Sequence, residues 1–305
     1  MFVLTRRVVI PDAATEFGIT FSPRTASYYG VDPRAAYTAA LDELDVRLVR
    51  LPVYWDDVEP SDDAYAFTDT DWYMDEAAAR GAKVTLVIGM KVPRWPECHV
   101  PDWVPSDAPR EALLDYLEAA VVRYAHHPAL YRWQVENEVR FPFGECPAPD
   151  LALFADEVAL VRSLDADTPI QLTVSGEQEA WAATAEDADV LGASLYRFAW
   201  NSTFGLVVFP HPPSYYRLQW RTLGDRVDTA VISELQAEPW FDGDVPADVA
   251  ERYALFPEER LRDHARFAEA TEFPEVYLWG AEWWYALRIA GEPRLWDTAR
   301  DILQE

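Results

Sequence analysis

Short apolar runs of strand length alternate along this chain with longer segments whose apolar positions recur at helical spacing. After an apolar segment, Phe2 to Ile10, the run Phe17 to Phe21 is short, β-branched and aromatic and reads as a first strand. Asp32-Pro33 supplies an N-cap with proline at the first helical position, and a helix follows over Ala35 to Leu44. The pattern then predicts strands at Val46 to Val53, Lys83 to Gly89, Leu130 to Val135, Ile170 to Val174, Val190 to Leu195, Thr229 to Ile232 and Glu275 to Trp279. Helices are expected at Thr70 to Arg80, Pro109 to Arg123, Asp150 to Ser163, Glu179 to Ala185, Ser214 to Leu223, Pro257 to Ala270 and Arg294 to Leu303. Strict alternation demands parallel pairing with right-handed crossovers, and eight such units over 305 residues predict an α/β protein, a single-domain (β/α)8 TIM barrel spanning residues 1–305. An open doubly wound sheet is disfavoured, because no strand is followed by a Gly-rich phosphate turn and the chain has only 12 Gly.

One stretch breaks the hydrophobic logic. The strand through Trp133-Gln134-Val135 runs directly into Glu136-Asn137-Glu138, placing two carboxylates and an amide where a barrel strand ends. A buried carboxylate costs several kcal/mol unless it is paired or neutralised, so this cluster reads as a site. A second carboxylate of the same kind, Glu234, closes the seventh predicted strand in Val231-Ile232-Ser233-Glu234. The ends of strands four and seven face one another across the mouth of an eight-stranded barrel. Two opposed carboxylates, one protonated and one ionised and roughly 5 Å apart, are what retaining glycoside hydrolysis requires.

Composition narrows the partners. A formal net charge of -27 and a pI near 4.4 argue against nucleic acid or an anionic membrane as ligand and favour a neutral or cationic one. The positive charge resides on 24 Arg and on Lys83 and Lys91 alone, a balance compatible with high-salt adaptation or with a GC-rich genome. No run of eighteen apolar residues exists, and the start of the chain lacks the continuous apolar stretch of a signal peptide. A monomer is the default expectation. Cys98 and Cys146 each sit in a loop after a predicted strand. If those strands are neighbours, a Cys98–Cys146 disulfide is within reach and implies an oxidising compartment, with the chain secreted or at the cell surface and its leader removed. Two free thiols fit a cytoplasmic protein, and a metal site using Cys98, His99 and Cys146 lacks an evident fourth ligand.

Asn137-Glu138 after strand four, a Glu after strand seven, Val49-Arg50-Leu51-Pro52-Val53 in strand two and Trp279 in strand eight together resemble clan A, the retaining glycoside hydrolases on (β/α)8 barrels, nearest to family-five-like cellulases and mannanases. The resemblance implies Glu138 as general acid/base, Glu234 as nucleophile, Asn137 as a donor to the sugar 2-hydroxyl, Arg50 as the cation beside Glu234, and Tyr196 as its hydrogen-bond donor. It implies a β-linked oligo- or polysaccharide as substrate and no cofactor or metal. The sequence departs from family five after strand three, where Gly89-Met90-Lys91 stands in place of a His pair, which fits a divergent branch.

Seven Trp, at 55, 95, 103, 200, 240, 283 and 284, fall in or beside predicted strand-to-helix loops, where indole faces stack on sugar rings; large aromatics also simply pack loops onto a barrel. Trp55 and Trp240 are expected at the substrate, and Trp283 as the floor of the reacting subsite, with Trp279 as the substitute. Glu136 is expected as a buried hydrogen-bond partner, Glu238 as a substrate ligand or a solvated loop charge, His99 and His211 as active-face loop residues with sugar contact the lesser reading, and His126-His127-Pro128 as a helix stop. The competing classes are a metal-dependent TIM-barrel enzyme, which needs a third acidic ligand near Glu177 or Tyr196, and a non-catalytic carbohydrate-binding barrel.

Overall fold

The computed structural model describes residues 14–105, 109–201, 205–240 and 245–304, so the Phe2 to Ile10 segment lies outside the described residues. Eight parallel strands close into a barrel: β1 Glu16–Thr20, β2 Leu48–Pro52, β3 Lys83–Ile88, β4 Leu130–Val135, β5 Ile170–Val174, β6 Val190–Leu195, then β9 Thr229–Gln236 and β10 Glu275–Trp279. Between β6 and β9 the chain adds an antiparallel hairpin, β7 Phe198–Asn201 with β8 Gly205–Val208, which the strand-helix alternation does not predict. Pairing of β1 with both β10 and β2 closes the ring. The expected (β/α)8 barrel is the observed fold.

Strand alternation explains where the core sits. Odd and even positions of each strand point to opposite faces, and here Val49 and Leu51, Leu86 and Ile88, Trp133 and Val135, and Leu172 and Val174 join one apolar cluster with the surrounding helices. The other parity carries Thr20, Arg50, Thr85, Gln134, Gln171, Thr173, Ser194 and Tyr277, all buried. These polar side chains bond to one another inside the barrel, as in Thr85 to Tyr277, Gln171 to Gln134 and Arg50 to Gln134. Near the strand starts, Arg132 and Glu275 form a bidentate ion pair joined by Tyr131 and Tyr277. The barrel therefore has an apolar outer layer against the helices and a hydrogen-bonded interior.

β9 is longer than its apolar run predicts and contains a bulge. From Ala193 to Ser194 on β6 the partner on β9 advances from Ile232 to Glu234, and from Val276 to Leu278 on β10 it advances from Ile232 to Leu235. One extra residue on β9 reverses the alternation, as bulges do. Ala230 and Ile232 point to the helices and so do Leu235 and Ala237, while Glu234 between them turns into the barrel. Gly192 makes the room, since a Cβ there would meet Ser233 Cβ at 2.8 Å and Oγ at 2.9 Å.

Candidate active site

The chain leaves β4 in an unusual backbone. Glu136 has φ of 59° and Glu138 has φ of 45°, both in the left-handed region that non-glycine residues seldom occupy. Such strain persists only where the surroundings over-determine it, and it gathers at functional sites. The surroundings here are specific. The Glu136 carboxylate accepts from the backbone N–H groups of Met90 (2.7 Å) and Lys91 (2.6 Å), as expected of a buried hydrogen-bond partner. The Glu138 N–H donates to Thr173 Oγ1 at 2.9 Å. Lys91 Nζ donates to the carbonyls of Glu138 (3.1 Å) and Phe141 (2.7 Å) and braces the loop that follows.

These contacts present Asn137 and Glu138 at the strand ends with Glu234. Arg50, fully buried in β2, spreads its guanidinium over three partners: Nε to Gln134 at 2.7 Å, one terminal nitrogen to Glu234 Oε1 at 2.8 Å, the other to Asn137 Oδ1 at 2.7 Å. Tyr196 donates its hydroxyl to Glu234 Oε2 at 3.0 Å. Both Glu234 oxygens are thus engaged by donors, a planar fork being suited to hold one carboxylate and one amide in fixed orientation. Burial, and after it the charge of Glu234, push the Glu138 carboxyl well above the ordinary carboxylate range. Glu97 and Glu179 add to that push and a hydrogen bond from Ser194 opposes it. Two carboxyl groups with opposite surroundings, one in a cationic cradle and one desolvated among like charges, are chemically equipped for one nucleophile and one acid.

The loops add residues that patterning alone does not single out. Glu97, after β3, is buried and accepts from Asn137 Nδ2 at 3.1 Å. Its neighbour Cys98 is joined to Cys146 by a disulfide, so the loops after β3 and β4 are tied together. Glu238, expected as a ligand or a solvated charge, is buried; it pairs with Arg94 and accepts from Trp279 Nε1 at 2.9 Å. Arg94 also bonds Glu282 at 2.9 Å and lies 4.1 Å over the Trp279 ring. The only signal for Glu97 in the sequence is an acid beside a cysteine in a post-strand loop.

The tryptophans divide. Trp95 is 62% exposed and leads through Phe143 (6.0 Å) to Trp240 (6.1 Å), which meets the Tyr196 ring edge-on at 6.0 Å. This aromatic rim reaches the partner of Glu234. Trp55 and Trp283 do not join it. Trp55 is fully buried, stacks on Tyr116 at 5.5 Å and donates to Glu59. Trp283 is 1% exposed, lies in the helix Ala281–Ile289 and packs edge-on against Tyr29, while Trp279 ends β10. Trp103 and Trp284 likewise donate to backbone carbonyls, and the Trp200 side chain lies outside the described residues. His99 is held between Arg24 and the Arg94 carbonyl, and His211 stacks on Tyr215 at 4.2 Å. His127 reaches Asp75 just past the helix Arg110–Tyr124. Among the described residues the one trio of acids close enough to share a cation is Glu59, Asp62 and Asp63, not the strand-end carboxylates. No described helix is long and apolar enough to cross a membrane.

No protein-family model and no curated protein matches the chain. Its fold is similar to solved structures of low identity. Exo-β-1,4-mannosidase Op5Man5 from Opitutaceae bacterium strain TAV5 superposes with a TM-score of 0.60 at 15% identity, over 90% of this chain and 53% of that one. The polyextremophilic β-galactosidase of the Antarctic haloarchaeon Halorubrum lacusprofundi gives 0.58 at 16%, over 87% and 52%. The GH5_18 protein of Streptomyces cattleya, solved in complex with GlcNAc, gives 0.59 at 15%, over 87% and 70%. The chain spans about half the length of the first two.

Proposed function

We propose that this protein is a retaining β-glycosidase acting on a β-linked oligo- or polysaccharide by double displacement. The observation that carries the reading is the asymmetry of the two carboxyl groups: Glu234 engaged by Arg50 and Tyr196, Glu138 desolvated and pushed well above the ordinary carboxylate range. In the first step a Glu234 oxygen bonds to the anomeric carbon while the bond to the leaving oxygen breaks and takes the Glu138 proton. In the second, Glu138 accepts a proton from water as that water displaces Glu234, releasing the sugar with its anomeric configuration retained. Asn137 holds the 2-hydroxyl, and Trp95, Phe143 and Trp240 offer faces for further sugar rings. The mannosidase and galactosidase activities named for structural neighbours support this reaction class and define the sugars to try first. The Cys98–Cys146 bridge supports action in an oxidising compartment.

The test is a panel of aryl β-glycosides with β-glucans, mannans, galactans and xylan, assayed at low and high salt, with proton NMR of the first-formed anomer. Wild type should release a β-anomer. Glu234→Gln should fall to background, and Glu138→Gln should lose about 10²–10⁴-fold on substrates with poor leaving groups. Full activity in either variant, or an inverted first product, overturns the assignment.

A further inference from the structure

We propose that Glu97 is a positioning residue that fixes the Asn137 amide for the substrate's 2-hydroxyl and adds a third acid to the Glu138–Glu234 pair. The inference rests on the glycosidase reading and assigns a role to a residue which that reading does not use.

Three observations carry it. The first is placement. Glu97 has φ of 76°, donates its N–H to the Arg94 carbonyl at 2.8 Å and accepts from Val92 N at 2.9 Å. The next residue is tied to Cys146, and Glu145 N donates to the Pro96 carbonyl at 2.9 Å. On the facing loop a Cβ at Gly144 would meet Glu97 Cβ at 2.6 Å, so the two loops approach at closest range where this side chain leaves the backbone. A left-handed glutamate wedged between bridged loops is held there by everything around it.

The second is the amide. Asn137 Oδ1 accepts from Arg50 at 2.7 Å and from Thr173 at 3.2 Å, and one N–H of Nδ2 goes to Glu97 at 3.1 Å. Those contacts determine which way the amide faces and leave its second N–H for a ligand. Without Glu97 the amide is held only through its oxygen.

The third is charge. Glu97 faces Glu234 from β9, Arg50 from β2, and Lys91 from its own loop; Glu138 in turn faces Glu234, Glu97 and Glu179, with Ser194 as hydrogen-bond donor. Burial first, then the charge of Glu234, push Glu97 up to about 7, so around neutrality it gains a negative charge that bears on Glu138. Like charges raise the affinity of a neighbouring carboxylate for its proton. Glu97 therefore extends to higher pH the range in which Glu138 can act as acid.

Two variants separate the roles. Glu97→Gln is isosteric, keeps an acceptor for Asn137 and removes the charge; Glu97→Ala removes both. With ¹³C-carboxyl-labelled glutamate, and with Glu138→Gln to assign the signal, the Glu138 titration should move down by about one pH unit in Glu97→Gln. The alkaline limb of the pH–rate profile should move with it. Glu97→Ala should lose at least about tenfold in kcat/KM on the parent glycoside and little on its 2-deoxy analogue. An unmoved Glu138 titration in Glu97→Gln overturns the electrostatic role, and equal losses on both substrates overturn the positioning role. If wild type hydrolyses no glycoside, the glycosidase reading falls, while the NMR titration still decides whether Glu97 and Glu138 are linked.

Discussion

Tyr196 and Arg50 approach Glu234 from different strands and take one oxygen each. A hydrogen bond to a charged group contributes about 1.5–3 kcal/mol, and if that contribution is also made in the transition state, Tyr196→Phe should lower kcat/KM roughly 10- to 100-fold. A fall in Tm without loss of turnover would make the tyrosine a packing element instead. At this scale the sequence is informative where a polar residue breaks an apolar strand. Glu138, Glu234, Arg50 and Asn137 are each conspicuous for that reason, and the structure brings all four together with Tyr196. It is uninformative where the residue type is right for two jobs. Trp55, Trp240 and Trp283 look alike on the page, and only the turn of a helix or loop decides which indole meets solvent. Glu97 is hidden by the converse problem: an acid in a polar loop is unremarkable until a disulfide and a facing glycine show that the loop is packed.

At the scale of elements, the eight strands were legible because both faces of a parallel strand are buried, so each reads as a compact apolar run between helical segments. Their mutual register was not, since it depends on neighbours that periodicity cannot see. The bulge in β9 is the clearest case. Ile232 and Glu234 have the same parity, so simple alternation puts Glu234 among the helices; the structure puts it in the barrel because Ser233 is an additional residue. Gly192 accommodates that residue. Gly192→Ala should therefore cost about 1–3 kcal/mol in stability through overpacking and should also depress activity, because the displaced segment carries Glu234. Urea unfolding and turnover measured on the same preparation check this. An alanine variant with wild-type stability and rate would show that the bulge does not depend on the empty space at position 192.

For the whole molecule, the dominant facts are a net charge of -27 and several buried carboxyl groups pushed above the ordinary carboxylate range. Burial pushes Glu97 and Glu177 from 4.5 up to about 7, and Glu138 and Glu157 well above the ordinary range. In each case the native state keeps a proton that the unfolded chain releases above pH 4.5, so stability falls as pH rises from there to about 7, where Glu97 and Glu177 themselves ionise. Self-repulsion among 53 acidic and 26 basic side chains acts in the same direction. Tm should accordingly be higher at pH 5 than at pH 8. Molar salt should narrow the gap by screening the surface part, since the Debye length shrinks to about 3 Å at 1 M, and the buried part should persist. Calorimetry at both pH values in low and high salt tests the sign; a Tm that climbs from pH 5 to 8 would refute it.

The extra residue in β9 has a further consequence that is best put in genetic terms. Most ways of losing an enzyme act on the chemical identity of a side chain, and a substitution at Glu234 is one of them. Here the glutamate's address is set by counting along the strand: with Ser233 present, Glu234 reaches the barrel only through the bulge, and removal of the Ser233 codon sets Glu234 beside Ile232 at opposite parity, where a regular strand also faces it into the barrel. A one-codon deletion inside β9 should thus spare the direction of Glu234. Mutational scans that sample substitutions alone would not register it.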